Sequence, residues 1–226
     1  MFNLPGFSAT STATFIPLPT ASQIPASPIP ATATAVSNTG NVLLRDDFSN
    51  SKWGTGTSKD SSTEYVNQAL QMIVYTKNWF VWTTPNDKDY KNVHIEVTVI
   101  NHDTDSTTAI GILCNQQTTD SNYYYAAITP AGEYAIARTS KGNNDVFLTN
   151  NDQWATSDKI TKNASSYRVG MDCGNGTLVL YVDGQQIDSV SDTTYTIGKV
   201  GVFTWSGVNA TNTDVSFDDF LVTSLE

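Results

Sequence analysis

Basic residues are scarce in this chain: 12 lysines and arginines stand against 22 acidic residues, a net charge of −10. Gripping a phosphate backbone or an anionic lipid surface needs the opposite balance, so nucleic acid is not expected as a partner. No run of about 18 apolar residues occurs, so no membrane-spanning helix is expected. The start, MFNLPGFS, lacks the charged and continuously apolar parts of a secretory signal. Either a signal has been removed or that export route is not used. A composition rich in Ser, Thr, Asn, Gly and Tyr, with only 15% charged residues, favours the first and an extracellular or cell-surface location.

Catalytic and metal-binding residue types are equally sparse. His94 and His102 are the only histidines, and neither Cys-x-x-Cys nor His-Glu-x-x-His is present, which argues against a zinc site. A Gly-x-Ser-x-Gly nucleophile elbow is missing too. Only four glutamates occur: Glu64, Glu96, Glu133 and Glu226. Glu96, in VHIEVTVIN, has no second acid at strand spacing and reads as a solvated residue on a strand's outer face. In NHDTDS, Asn101, Asp103 and Asp105 alternate like the start of a calcium loop, but the glycine and distal glutamate are missing, so a polar hairpin is expected.

What the chain does contain is alternation. From Thr107 to Arg138 the sequence reads as three antiparallel strands, broken at Thr118–Ser121 and Pro130–Gly132. Ile110, Ile112 and Cys114 share one face; Tyr124, Ala126 and Ile128 oppose Tyr123, Tyr125 and Ala127. Both faces are apolar or aromatic, which suits a sheet with a second sheet on one side and a ligand or covering loop on the other. Further strands are expected over 42–48, 69–75, 80–84, 93–101, 145–149, 166–173, 177–182, 186–190, 200–205 and 214–223. Asn175-Gly176 and Asp183-Gly184 mark tight hairpins. No useful helical period is found, so the expected fold is an all-β sandwich or jelly roll over residues 41–226.

Residues 1–40 contain no Asp, Glu, Lys or Arg and hold most of the prolines. They read as an extended stalk or linker. Apolar residues recur beside the prolines (Phe15, Ile16, Leu18, Ile24 and Ile29), so the segment is also a candidate arm for self-association with a neighbouring subunit, as in a fibre or layer. In the sandwich, Cys114 and Cys173 each follow inward apolar positions; two core-facing thiols on neighbouring strands would pair in an oxidising compartment, or else stay buried and unpaired. The ends echo each other, LLRDDFS at Leu43–Ser49 and VSFDDFLV at Val215–Val222. Pairing of first and last strands would crowd Asp46, Asp47, Asp218 and Asp219, which a structural Ca²⁺ would relieve; alternatively one Asp of each pair is solvated and the other caps a turn.

The order GILCNQQ, NYYYAAITPAGEYAIAR, a loop bearing Trp154, SYRVGMDCGNGTLVLYVDGQQI, GKVGVFTW and VSFDDFLV resembles the concanavalin A-like lectin/glucanase sandwich. Within that superfamily it is similar to domains near family sixteen glycoside hydrolases, laminin G-like modules and 3-keto-disaccharide hydrolase domains. The resemblance implies a jelly-roll β-sandwich and a glycan partner. The Glu-x-Asp-x-x-Glu strand that supplies nucleophile and acid/base in family sixteen enzymes is absent, so hydrolysis is not the leading expectation. Aromatic planes that stack on sugar rings are the remaining signal. Trp79, Trp82, Tyr123, Tyr125, Trp154 and Trp205 are candidates, with Asn115, Gln117 and Asn122 as polar neighbours; Trp82 and Tyr125 lead, because Val81 and Tyr124 can supply the core from the opposite face. The expectation is a non-catalytic, exported carbohydrate-binding or adhesive surface domain. A structural subunit and a hydrolase with an unrecognised site are the alternatives.

Overall fold

The structure, a computed structural model, describes residues 40–226 apart from 51, 86, 104, 118–121, 209–211 and 226. The proposed stalk and assembly arm and the break at 118–121 therefore lie outside the described residues.

Among the described residues sixteen strands follow one another: β1 (Val42–Asp46), β2 (Gly56–Thr57), β3 (Ser61–Val66), β4 (Ala69–Val74), β5 (Phe80–Thr83), β6 (Val93–Asn101), β7 (Ala109–Gln116), β8 (Tyr123–Ile128), β9 (Glu133–Thr139), β10 (Val146–Phe147), β11 (Ala155–Thr156), β12 (Ser166–Gly174), β13 (Thr177–Val182), β14 (Gln185–Ser191), β15 (Lys199–Trp205) and β16 (Thr213–Ser224). They form two antiparallel sheets. The nine-stranded sheet runs β14-β13-β12-β6-β16-β4-β3-β2, with β1 also on β16; the seven-stranded sheet runs β10-β9-β8-β7-β15-β5, with β11 on β9. This is the expected all-β jelly-roll sandwich.

Period-2 alternation decides which side chains meet between the sheets. Ile110, Ile112, Cys114, Tyr124, Ala126 and Ile128 of the seven-stranded sheet pack against Val93, Ile95, Val97, Val99, Val169 and Met171 of the nine-stranded one in a single buried cluster. A second cluster, with Leu113, Tyr123, Tyr125, Ala127 and Phe203, lies on the other face of the seven-stranded sheet. Cys114 and Cys173 form a disulfide. They do not lie on neighbouring strands as expected: β7 and β12 belong to different sheets, so the bond ties one layer to the other through the core.

The hairpins at Asn175-Gly176 and Asp183-Gly184 have positive φ at both central residues, which the expected type I′ turns require. First and last strands pair as the sequence echo suggested, with Asp46 opposite Phe220. A bulge between Asp218 and Leu221 interrupts the β16–β6 ladder, and Asp219 sits in the left-handed region at φ 47°.

Candidate functional site

The second cluster is the floor of an open cleft of about 430 Å³ on the outer face of the seven-stranded sheet. Its shape follows from a mixture of small and large residues on one face. Gly111 is paired with Ala127 and with Phe203. A Cβ on Gly111 would stand 1.9 Å from the Ala126 carbonyl oxygen and 2.9 Å from the Phe203 ring, so only glycine lets Phe203 lie flat there. Ala109 and Ala127 keep the floor low beside it, while rings rise around them.

Those rings form a continuous surface. Phe80 stacks on Phe203 at 4.7 Å between centroids and on Tyr123 at 6.3 Å; Tyr125 meets Phe203 edge-on at 5.4 Å. At one end Phe147 and Trp154 form a tilted pair, and at the other Trp205 is fixed by donating Nε1–H to Asn78 Oδ1 at 3.1 Å. Half-buried Trp205 and Trp154 leave ring area open to a ligand.

The lining includes a single carboxylate, Asp145, whose Oδ2 accepts a hydrogen bond from the Tyr125 hydroxyl at 3.1 Å. The residue as a whole is exposed, but its carboxyl faces the aromatic wall. Partial burial there raises the carboxyl above the ordinary carboxylate range, more than the Tyr125 hydrogen bond lowers it. Burial, then the charge of Asp145, pushes the Tyr123 phenol up to about 12, and the same two causes raise Tyr125. Paired-carboxylate glycoside hydrolysis needs a second acid about 5–9 Å away; the described lining residues include none.

Of the residues expected at a site, Tyr123, Tyr125 and Trp205 line the cleft, together with Trp154. Trp82 faces the same side but packs against the aromatic cluster instead of lining the cavity. Asn122 lies elsewhere, its side chain accepting from the Lys141 backbone N–H. Asn115 and Gln117 turn to the segment before β15, donating to the carbonyls of Tyr195 and Ile197 respectively. Trp79 is exposed and outside the lining. Asn78, Phe80, Asp145, Phe147 and Phe203 were not anticipated. Phe80 and Phe203 had a signal, since each stands two residues from a chosen tryptophan on the same strand face; Asp145 and Asn78 are loop residues without periodicity.

The four aspartates are engaged separately. Asp46 is buried and accepts from the Phe48 N–H and Trp53 Nε1, whereas exposed Asp47 accepts from Ser49. Asp218 caps the Asp219 N–H, and Asp219 pairs with Arg45 and Arg168. These residues do not fit a shared Ca²⁺, and among the described residues no group of three or more His, Cys, Asp or Glu side chains is placed to hold a metal ion.

Glu96 is a correction. It lies on the outer face of the nine-stranded sheet as expected, but it is buried, not solvated. His94 Nδ1 stands 2.6 Å from Asp172 and its Nε2 3.1 Å from Glu96 Oε1; Arg168 holds Glu96 Oε2 at 3.1 Å, and the Tyr181 hydroxyl donates to Asp172 at 2.8 Å. The Nε2 to Glu96 approach is short but poorly aligned for a hydrogen bond, so it acts chiefly through charge. Antiparallel register brings these groups together across about 70 residues of sequence, and Gly170, opposite both Glu96 and Tyr181, leaves the space they fill.

No family model matches the chain, and no curated protein sequence does. Solved structures do. The chain superposes on the carbohydrate-binding module CBM66 from Bacillus subtilis with a TM-score of 0.60 at 12% identity, covering 76% of this chain and 96% of that one. A Bacillus subtilis protein of unknown function with a galectin-like fold gives 0.61 at 11%, over 82% and 96%. The Bacillus licheniformis β-glucanase gives 0.56 at 12%, over 83% and 100%. The fold is a jelly-roll β-sandwich of the kind these structures share. On this frame the aromatic cleft occupies the outer face of the smaller sheet, and the buried ionic network occupies the outer face of the larger one.

Proposed function

We propose that the sandwich is an extracellular carbohydrate-binding domain that holds a glycan in the aromatic cleft without cleaving it. The observation that carries this reading is the cleft itself: an open trough walled by tryptophan, tyrosine and phenylalanine rings, with a lone carboxylate at its rim. Sugar rings offer apolar C–H faces that stack on such planes, and the rim groups bond their hydroxyls. The names of the structural neighbours, a carbohydrate-binding module and a β-glucanase among them, agree with a glycan ligand. An intersheet disulfide agrees with an oxidising, exported setting.

The test is retention of the full chain on a polysaccharide panel, scored together with released sugar and sedimentation. Trp205→Ala and Tyr125→Ala are expected to weaken retention about tenfold or more, as hot-spot aromatics do, while Trp82→Ala changes it little. Unchanged retention in the first two variants refutes the assigned cleft. Sugar release refutes the non-catalytic reading and favours a hydrolase. Large assemblies of the full chain without retention favour a structural subunit assembled through residues 1–40.

A further inference from the structure

The cleft concentrates its polarity in an unusual way. A site for neutral sugar hydroxyls sets a few free polar groups on apolar walls to donate to and accept from them. Here the Asn78 carbonyl oxygen is already engaged by Trp205, and the Tyr125 hydroxyl is committed to Asp145. Among the described residues no lysine, arginine or histidine lines the cavity. No ion pair joins Asp145 to a basic group among the described residues; its carboxylate stands against Tyr125 and shares the lining with Tyr123, Phe147 and Trp154. Ring faces carry negative electrostatic potential, and ammonium groups are held over them within about 6 Å of the centroid, more strongly when a carboxylate is near and water is reduced. The chain as a whole, at −10, adds to the same field.

Resting on the glycan-binding reading above, we infer that this cleft selects a cationic amino glycan, one carrying free ammonium groups, and that Asp145 is the residue that determines the selection. Anionic glycans such as uronates are repelled by the same carboxylate. N-acetylation removes the charge and leaves an amide N–H, which can donate to Asp145 but cannot form the ion pair.

The test compares glucosamine oligomers with N-acetylglucosamine oligomers of equal length, by calorimetric titration of the full chain at about pH 6, where most amines are protonated. The expected result is a dissociation constant about tenfold lower for the free amine, a ratio that falls as salt is raised. Asp145→Asn keeps the shape and an acceptor for Tyr125, and is expected to bring the ratio to about one. Equal or tighter binding of the acetylated form by the native protein overturns the inference, as does a ratio that survives Asp145→Asn. If a neutral β-glucan binds and neither amino glycan does, the selection is wrong and the binding domain stands. If no glycan of the wider panel is retained, the binding reading itself fails.

Discussion

Protonation of His94 is the perturbation whose effect on the fold can be worked out most fully. Its side chain is 2% exposed and lies between Asp172 and Glu96. Burial alone would lower its pKa, but the hydrogen bond to Asp172 and the charges of Asp172 and Glu96 outweigh it and raise the imidazole from 6.5 to about 9. Because the folded value is the higher one, the native state holds this proton more tightly than the unfolded chain. The stabilisation is fully present below pH 6.5 and is lost as pH rises through about 9. At about 1.4 kcal/mol per pH unit the gap is worth about 3 kcal/mol, a large part of a typical domain's stability. Glu96 behaves oppositely: burial raises its pKa, but His94 and Arg168 prevail and hold it below 4.5, so its contribution is lost only as pH falls through that lowered value. Stability is therefore expected to be greatest between about pH 4.5 and 6.5 and to decline from there to pH 9. Phenols raised by burial, such as Tyr124 and Tyr181, add their own loss only near and above 10.0, outside this interval. Urea unfolding followed by tryptophan fluorescence at intervals from pH 4 to 9, about one unit apart, measures it. His94→Gln should unfold more easily by about 3–5 kcal/mol at pH 6, through the uncompensated acids it leaves, and should show a flatter profile above that pH. A native protein equally stable at pH 6.5 and pH 9 would refute the charged network.

Two other outcomes follow from the packing. The Cys114–Cys173 bond closes a separation of 59 residues, for which chain entropy gives about 4 kcal/mol; Cys114→Ala with Cys173→Ala is expected to lose about 2–4 kcal/mol in the same urea assay, and two free thiols in the native exported protein would refute the pairing. Because Asp46, Asp47, Asp218 and Asp219 are satisfied separately, the melting temperature is expected to be the same in chelator and in about 1 mM Ca²⁺, whereas a clear rise with Ca²⁺ would restore a structural ion, since ligands that bind the native state must stabilise it.

The difference between what the sequence disclosed and what it concealed has a physical basis. Alternation is a local property, so Tyr124 could be assigned to the core and Tyr125 to the opposite face from the sequence alone, and both assignments hold in the structure. The Asn-Gly and Asp-Gly turns are local for the same reason. Sheet membership is not local: Cys114 and Cys173 read as strand neighbours because each has the same inward pattern, and only the order of strands places them in facing layers. Burial of Glu96 is also non-local, since an outward strand position is ordinarily wet. It is dry here because Arg168 and Asp172 arrive from β12, and Gly170 between them carries no side chain to fill the space. The cleft lies between these cases. Its floor was visible as the second faces of β8 and β15, where Tyr123 and Tyr125, and Phe203 and Trp205, recur every two residues. Asp145 was hidden, because the strand expected over 145–149 is only Val146–Phe147 and Asp145 stands in the loop before it. The proposed ligand class depends on that one loop carboxylate, so the part of the function hardest to read from the sequence is also the part carried by the least periodic residue of the site.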